Sequence, residues 1–365
     1  MEKKTNSCVV NGAAVSAESL NKQQWTKYHT RGGHGFAAED ANAMSDAFSG
    51  KRVDKVGMDN ALDGADRISG GVSIQTKYYS SARQSVDAAF RNGQYRYKGM
   101  KLEVPSDQYE EAVRRFAELT DPQTARQTVI KGSVTYKEAC NIAKAGNLDS
   151  IKFDVKTQSV ACGVACGLSF VVSYAKAIHD GKTHSEALKE AGKTAAKSGL
   201  TTMALGVATQ QFLRTTVGRT AAAAITHAIR PAVASAMSTS AGRAVLTPVA
   251  SAMAGKQVAG AAARNVLTAG VRTNVIVGAG LSAVAVGSNI RKCCKGEMTA
   301  GECVQESVAD VAGVGGGMAG FSAGAALGSL IPIPVVGTLV GGLIGGTFGT
   351  IASSSAVRGF FGLFK

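Results

Sequence analysis

Negative charge is nearly missing from the second half of this sequence. Residues 158–365 carry 17 Lys/Arg but only 7 Asp/Glu, whereas residues 1–157 carry 23 and 19. Between 198 and 290 every charge is basic: Arg214, Arg219, Arg230, Arg243, Lys256, Arg264 and Arg272. From Val311 to Val357, a span of 47 residues, no side chain is charged. Aromatic residues are also few, at 6%, with one Trp, and there are only six Pro. The low proline count and the absence of a Gly-X-Y period exclude a collagen-like chain. A hydrophobic share of 45% excludes disorder as the dominant state. An apolar h-region is missing from Met1–Asn11, so no secretory signal peptide is read there and a cytoplasmic start is expected. Seven cysteines, an odd number in a long chain, do not read as a disulfide framework. Cys162 and Cys166 share a helical face, and Cys293–Cys294 with Cys303 lie in a short basic loop. Neither spacing is a zinc pattern with partner histidines, so these read as buried thiols and a chance pair.

What is abundant is glycine, 44 of 365 residues, and positive charge, with a net of +14. The length predicts two or three structural units. Residues 32–50 read as a helix, with Phe36, Ala37, Ala41, Met44 and Phe48 at steps of three and four. Lys51–Val56 reads as a short strand, 57–71 as turn-rich, and Val72–Tyr79 as the clearest strand of the chain. Ser80–Asn92 reads as a helix, followed by a strand pair around residues 94–105. Tyr109–Leu119 reads as an amphipathic helix capped by Ser106. This order is an α/β pattern. Residues 121–157 read as a small helical unit. Val160–Ile178 then runs apolar for about one bilayer thickness, since a spanning helix needs roughly 20 residues. Residues 183–290 read as Ala/Gly-rich helices with single basic residues, lying on a membrane or packed in a bundle.

Three pieces of the N-terminal part fit one chemistry. Glu39 sits on the first helix, Asp63-Gly64-Ala65-Asp66 follows the first strand, and Gln75-Thr76-Lys77 lies on the next. Strand alternation points Gln75 and Lys77 to one face. Phosphodiester hydrolysis needs a divalent ion on carboxylate and carbonyl oxygens, and a cation near the attacking water and the phosphate. Asp66, Gln75 and Lys77 supply these parts, and Glu39 can complete the shell. The set Gly35-Phe36-x-x-Glu39, Asp63-Gly64-Ala65-Asp66-Arg67-Ile68 and Ile74-Gln75-Thr76-Lys77-Tyr78-Tyr79 resembles the PD-(D/E)xK nuclease superfamily. The resemblance is to its Mrr-like restriction endonucleases and archaeal Holliday-junction resolvases in particular, and it covers roughly residues 30–120. It implies catalytic Asp66, Gln75, Lys77 and Glu39, with Asp66, Gln75 and Glu39 holding Mg²⁺ or Mn²⁺. The family's double glycine before the acid is Gly64-Ala65 here, and no separate DNA-reading module is recognisable. His34, at the helix start, reads as a hydrogen-bonding or capping residue that could touch the site. Arg83, Arg91, Arg96, Lys98 and Lys101, interleaved with Tyr78, Tyr79, Tyr95 and Tyr97, suit a phosphate backbone or, equally, a solvated hairpin and helix face.

The C-terminal block repeats glycine every four residues: Gly316, Gly320, Gly324 and Gly328, then Gly337, Gly341, Gly345 and Gly349 after Pro332 and Pro334. In water each glycine costs a helix about 1 kcal/mol relative to Ala. In lipid, helix is imposed and glycine lets two helices approach closely. A tight helical hairpin crossing the membrane follows, with the aromatic, basic end Arg358–Lys365 at the headgroups.

The expected fold class is therefore an α/β restriction-endonuclease-like domain followed by an all-α, Gly/Ala-rich membrane-associated region ending in a glycine-zipper hairpin. The expected divisions are 1–120 (nuclease-like), 121–157 (helical linker unit), 158–306 (basic membrane-associated helices) and 307–365 (transmembrane hairpin). The whole chain also resembles uncharacterised bacterial inner-membrane proteins of prophages and mobile islands. The expected function is a membrane-anchored, metal-dependent endonuclease cleaving nucleic acid, DNA first, in antiviral defence, with the catalytic domain cytoplasmic. Membrane lipid and a homo-oligomer through the zipper helices are the further expected partners. The alternative is a membrane-perturbing toxin or pore-forming effector whose N-terminal domain only recognises.

Overall fold

The computed structural model describes Val10 and residues 27–56, 63–254, 257–328 and 334–362. The chain divides into two compact units: Gln23–Asp154 with Gln210–Arg219 form one, and the remainder forms the other.

The first unit is built around a mixed sheet. Its elements are α1 (Gly33–Phe48), β1 (Val53–Lys55), β2 (Arg67–Ser69), β3 (Val72–Thr76), α2 (Ala82–Asp87), β4 (Phe90–Arg91) and β5 (Gln94–Tyr95). They continue with β6 (Lys101–Val104), α3 (Tyr109–Leu119), α4 (Pro122–Thr128), β7 (Val129–Lys131) and α5 (Tyr136–Ile142). The sheet order is β1-β2-β3-β6-β7, with β4 and β5 as a separate hairpin. β1, β2 and β3 form an antiparallel meander, while β3, β6 and β7 run parallel. Gly70 and Gly71, both with positive φ, make the two-residue turn between β2 and β3. That is the conformation a tight hairpin turn of matching twist demands, and Asn92-Gly93 does the same for β4–β5.

Helices cover both faces of this sheet. On one side, Leu102 and Val104 of β6 pack with Ala82 and Val86 of α2 and Ala112 and Phe116 of α3. On the other, Ala38 of α1, Ala139 of α5 and Tyr78 form a smaller cluster. α1 buries Ala37, Ala38, Asp40, Ala41 and Asn42, whereas Phe48 is 53% exposed. The expected stripe is thus rotated toward polar residues, because Asn42 and Asp46 have buried partners on the sheet. Ser106 does not cap α3, whose N-cap is Gln108 without a side-chain bond. α5 does carry a capping box, Thr135 with Glu138.

Residues 121–157 are not a separate linker unit. β7 extends the sheet beside β6, and α5 packs on α1 through Ala139 and Ala38, so this segment belongs to the α/β unit. The division falls inside α6 at Asp154/Val155. Residues 210–219 also join this unit, held by Arg214. Its guanidinium donates to both Asp154 oxygens at 2.6 Å and to the Ile142 carbonyl at 2.8 Å, and the ion pair is wholly buried.

The helical unit draws on α6 (Leu148–His179), α7 (His184–Leu213), α8 (Thr216–Ala236), α9 (Ser240–Ala254), α10 (Gly260–Cys294), α11 (Ala300–Gly328) and α12 (Pro334–Gly362). Among the described residues, α6 and α10 are long and apolar enough to cross a membrane. α6 and α7 meet through small residues: a Cβ at Gly199 would strike the Cys162 and Cys166 sulfurs, and one at Gly206 would strike Gln158. α11 and α12 meet along the glycine stripes. A Cβ at Gly316, Gly320 or Gly324 would overlap the Gly349, Gly345 or Gly341 carbonyl respectively. Ser354 Oγ donates to the Ala309 carbonyl at 3.0 Å, and Arg358 Nε to Glu306 at 3.0 Å, closing the open end of this hairpin. The expected turn at residues 331–333 lies outside the described residues; Pro334 opens α12.

Candidate functional site

The β2–β3 register pairs Arg67 with Ile74, which sets Asp66 opposite Gln75. Residues directly opposite on antiparallel strands share a face, and Lys77, two residues beyond Gln75, shares it too. Gln75 Nε2 donates to Asp66 Oδ2 at 2.7 Å, and the backbone N–H of Thr76 donates to the same oxygen at 2.7 Å. The Lys77 ammonium stands 5.2 Å from the centroid of the Tyr97 ring, with the Arg96 guanidinium 5.4 Å from the same centroid. Arg96 pairs with Asp63, which sits at a positive φ of 58° just before the site. Asp66, Gln75 and Lys77 thus converge, with Asp63, Arg96 and Tyr97 at their margin.

Burial pushes the Asp66 carboxyl above the usual carboxylate value. The Thr76 N–H, the Lys77 charge and the Gln75 amide pull the other way without cancelling it. The site therefore presents a carboxylate stripped of water, with the Lys77 and Arg67 charges acting on it.

Glu39 is half-buried on α1. That helix reaches the sheet through Asn42 and Asp46, which touch Glu103 and Arg67 on the opposite face. Among the described residues no three His, Cys, Asp or Glu side chains converge as a metal-holding group. Of the expected shell of Asp66, Gln75 and Glu39, Asp66 and Gln75 stand in direct contact. His34 Nε2 bonds the Tyr78 carbonyl at 2.8 Å and meets Tyr136 edge-on, so it fixes the end of β3.

The opposite face holds a network that sequence reasoning missed. Glu103 of β6 accepts two bonds from Arg67 (2.7 and 2.6 Å), one from Thr76 Oγ1 (2.9 Å) and one from Asn42 Nδ2 (2.7 Å). Arg67 also donates to Asp46 at 2.9 and 3.1 Å, and Asn42 accepts from the Ser133 amide and hydroxyl. Burial works against the charge of Asp46, but bonds from Lys51 and Arg67 hold its carboxyl below the usual value. β2, β3, β6 and α1 are locked together directly behind the candidate site.

The basic and aromatic interleave separates on folding. Tyr95 and Tyr97 join an aromatic cluster with Phe90 and Phe116, and Tyr78 is buried on the other face. Arg96, Lys101 and Arg83 bond to Asp63, the Gln127 carbonyl and Asp87. Of the tyrosines only Tyr79 is exposed, at 44%. These rings build the core and do not form a base-stacking platform.

Residues 16–119 match the family model described as the YeeR C-terminal domain. Over 108 residues the chain is 47% identical to inner membrane protein YeeR of Escherichia coli (strain K12), a stretch that is 28% of this chain and 19% of that protein. The chain thus spans about a fifth of the length of the curated relative it matches. No solved structure matches the chain. The family match covers the strands bearing Asp66, Gln75 and Lys77 and stops before the long helices. Neither name states an enzymatic activity.

Proposed function

We propose that the α/β unit is a metal-dependent nuclease, acting on DNA first, held at the bacterial inner membrane in defence against phage or mobile elements. The observation that carries this reading is the convergence of Asp66, Gln75 and Lys77 on one face of two paired strands, with Asp66 and Gln75 at 2.7 Å. The Asp66 carboxylate would hold Mg²⁺ or Mn²⁺ together with the Gln75 amide oxygen, once that amide turns its oxygen inward. The bound ion would neutralise phosphate charge and acidify a water. Lys77 supplies a fixed positive charge on the same face, and the Arg67–Glu103 network holds both strands in register behind it.

Membrane attachment has separate support. The relative is named an inner membrane protein, and α6 and α10 of this chain have the length and apolarity to cross a bilayer. The family match falls on residues 16–119, so the passes are inferred from this chain's own helices. The α11–α12 hairpin, charge-free from Val311 to Val357, is the proposed anchor and a surface for self-association. One observation favours the rival, a membrane-perturbing effector with a non-catalytic recognition domain. Among the described residues no three His, Cys, Asp or Glu side chains gather as a metal-holding group.

The test uses the full-length protein in detergent, incubated with supercoiled plasmid, linear duplex DNA and RNA, with Mg²⁺, Mn²⁺ or EDTA. Cleavage requiring the metal is expected. Asp66→Ala or Lys77→Ala should reduce it by on the order of 10²-fold or more, with the fold unchanged by circular dichroism. Undiminished cleavage by both folded variants refutes the assignment. Dye release from liposomes that survives Asp66→Ala, without any cleavage by the wild type, establishes the rival.

A further inference from the structure

α10 and α11 are consecutive antiparallel helices, and their polar contacts give their register. Asn289 Nδ2 donates to Asp310 Oδ2 at 3.1 Å and reaches Ser307 Oγ at 3.5 Å. One helical turn toward the connecting loop from Asn289 is Cys293, and one turn back from Ser307 is Cys303. The two cysteines therefore stand on the next rung of the same ladder. Both sit on well-fixed turns. The end of α10 closes with Lys295 and Gly296 amides donating to the Arg291 and Cys293 carbonyls at 3.1 and 3.0 Å. The start of α11 is a capping box in which Thr299 and Glu302 bond reciprocally at 3.0 and 3.2 Å. Cys293 and Cys303 are both partly exposed, so a small reagent can reach them, while Cys294 beside them is exposed.

We propose that Cys293 and Cys303 form a reversible redox clip across the α10–α11 turn. The thiols are the resting state in a reducing cytoplasm, and a low-molecular-weight disulfide such as oxidised glutathione closes the clip. The Cys303 thiolate attacks one sulfur of that disulfide, forming a mixed disulfide and expelling one glutathione thiolate. The Cys293 thiolate then attacks the Cys303 sulfur, forming the Cys293–Cys303 bond and expelling the second thiolate. The two protons lost by the cysteines end on two glutathione thiols, so two thiols are oxidised and one disulfide is reduced. Closure fixes the end of α10, a helix long enough to span a membrane, against α11.

The experiment treats the full-length protein in lipid nanodiscs with oxidised glutathione. Thiols are then counted with a maleimide, disulfide peptides are mapped by mass spectrometry, and the treatment is reversed with dithiothreitol. Expected is the loss of two thiols, restored on reduction, one Cys293–Cys303 peptide pair, and unchanged monomer mobility on a non-reducing gel. Cys294→Ser should retain the bond. Cys293→Ser and Cys303→Ser should each carry a glutathione on the remaining partner. A bond to Cys294, a bond between chains, or glutathione persisting on Cys303 of the wild type would overturn the clip. The peptide map of the unmutated protein decides this even where a variant misfolds.

Discussion

The α/β unit and the helical unit solve the same problem, holding elements close, with opposite materials. Behind the candidate site, closeness is enforced by charge: Glu103 takes four hydrogen bonds, and Arg67 bridges it to Asp46. Between α11 and α12 closeness is enforced by the absence of side chains, with glycine facing glycine carbonyl at three successive levels. In water, a buried ion pair specifies a register because every unpaired alternative is costly. In lipid the apolar surface gains nothing by burial, and the approach of bare backbones supplies the packing. The composition break near residue 158 is thus a change in how specificity is encoded.

That contrast predicts that the largest losses come from unpairing a charge in the α/β unit. Glu103→Ala leaves Arg67 buried beside Asp46 alone and should destabilise the unit by about 3–5 kcal/mol, read as a lower midpoint in denaturant. Glu103→Gln, which keeps the shape, should lose less. The Arg214–Asp154 pair makes a companion case. A fragment ending at residue 157 lacks Arg214 and leaves Asp154 buried without its cation. Such a fragment should be less stable by a similar amount than one in which residues 210–219 are joined back by a flexible linker. Equal stability of the two would mean that the unit closes without that segment.

Next in size are the glycines. Leucine at Gly320 or Gly324 must displace the Gly345 or Gly341 carbonyl, and should cost about 1–3 kcal/mol as overpacking does elsewhere. Gly315 meets nothing within 4 Å on its added Cβ, so Gly315→Leu should be tolerated. Thermal unfolding of the detergent-solubilised protein compares them. Similar melting points for Gly315→Leu and Gly320→Leu would show that the four-residue spacing carries no packing.

How much of this could be read from the sequence differs between the two regions for the same reason. Gly316 to Gly349 announce their partners because the repeat is the contact, and the hairpin fold aligns one stripe on the other. Asp66, Gln75 and Lys77 were legible because strand pairing is local: nine residues and a Gly-Gly turn separate Asp66 from Gln75. The Arg67–Glu103 pair was illegible because 36 residues and a crossover separate its members, and nothing in either neighbourhood marks the other. β7 was missed because three residues, Val129–Lys131, give no alternation, and its parallel neighbour β6 alone makes it a strand. The face α1 turns to the sheet was decided by Asn42 and Asp46, whose partners lie far along the chain.

The smallest expected effect sharpens the comparison at the site itself. Burial holds the Asp66 carboxyl above its ordinary value, so the folded protein binds that proton more tightly than the unfolded chain does. Between the unfolded and the raised folded value, stability falls as pH rises, and the loss persists above that window. Asn has no such proton to lose. The melting temperature of Asp66→Asn minus that of the wild type should therefore be least near pH 4, grow as pH rises, and level off by neutrality. A metal ion reverses the order: ligand that binds only the folded state stabilises it in proportion to the logarithm of its concentration. Millimolar Mg²⁺ or Mn²⁺ at pH 7 should raise the wild type and leave Asp66→Asn where it was. A pH-independent difference would show that the carboxylate is as well solvated as in the unfolded chain. A wild type unmoved by either metal would leave Asp66 a strained acid with no ion to serve, and would shift the reading of the α/β unit from catalysis to recognition.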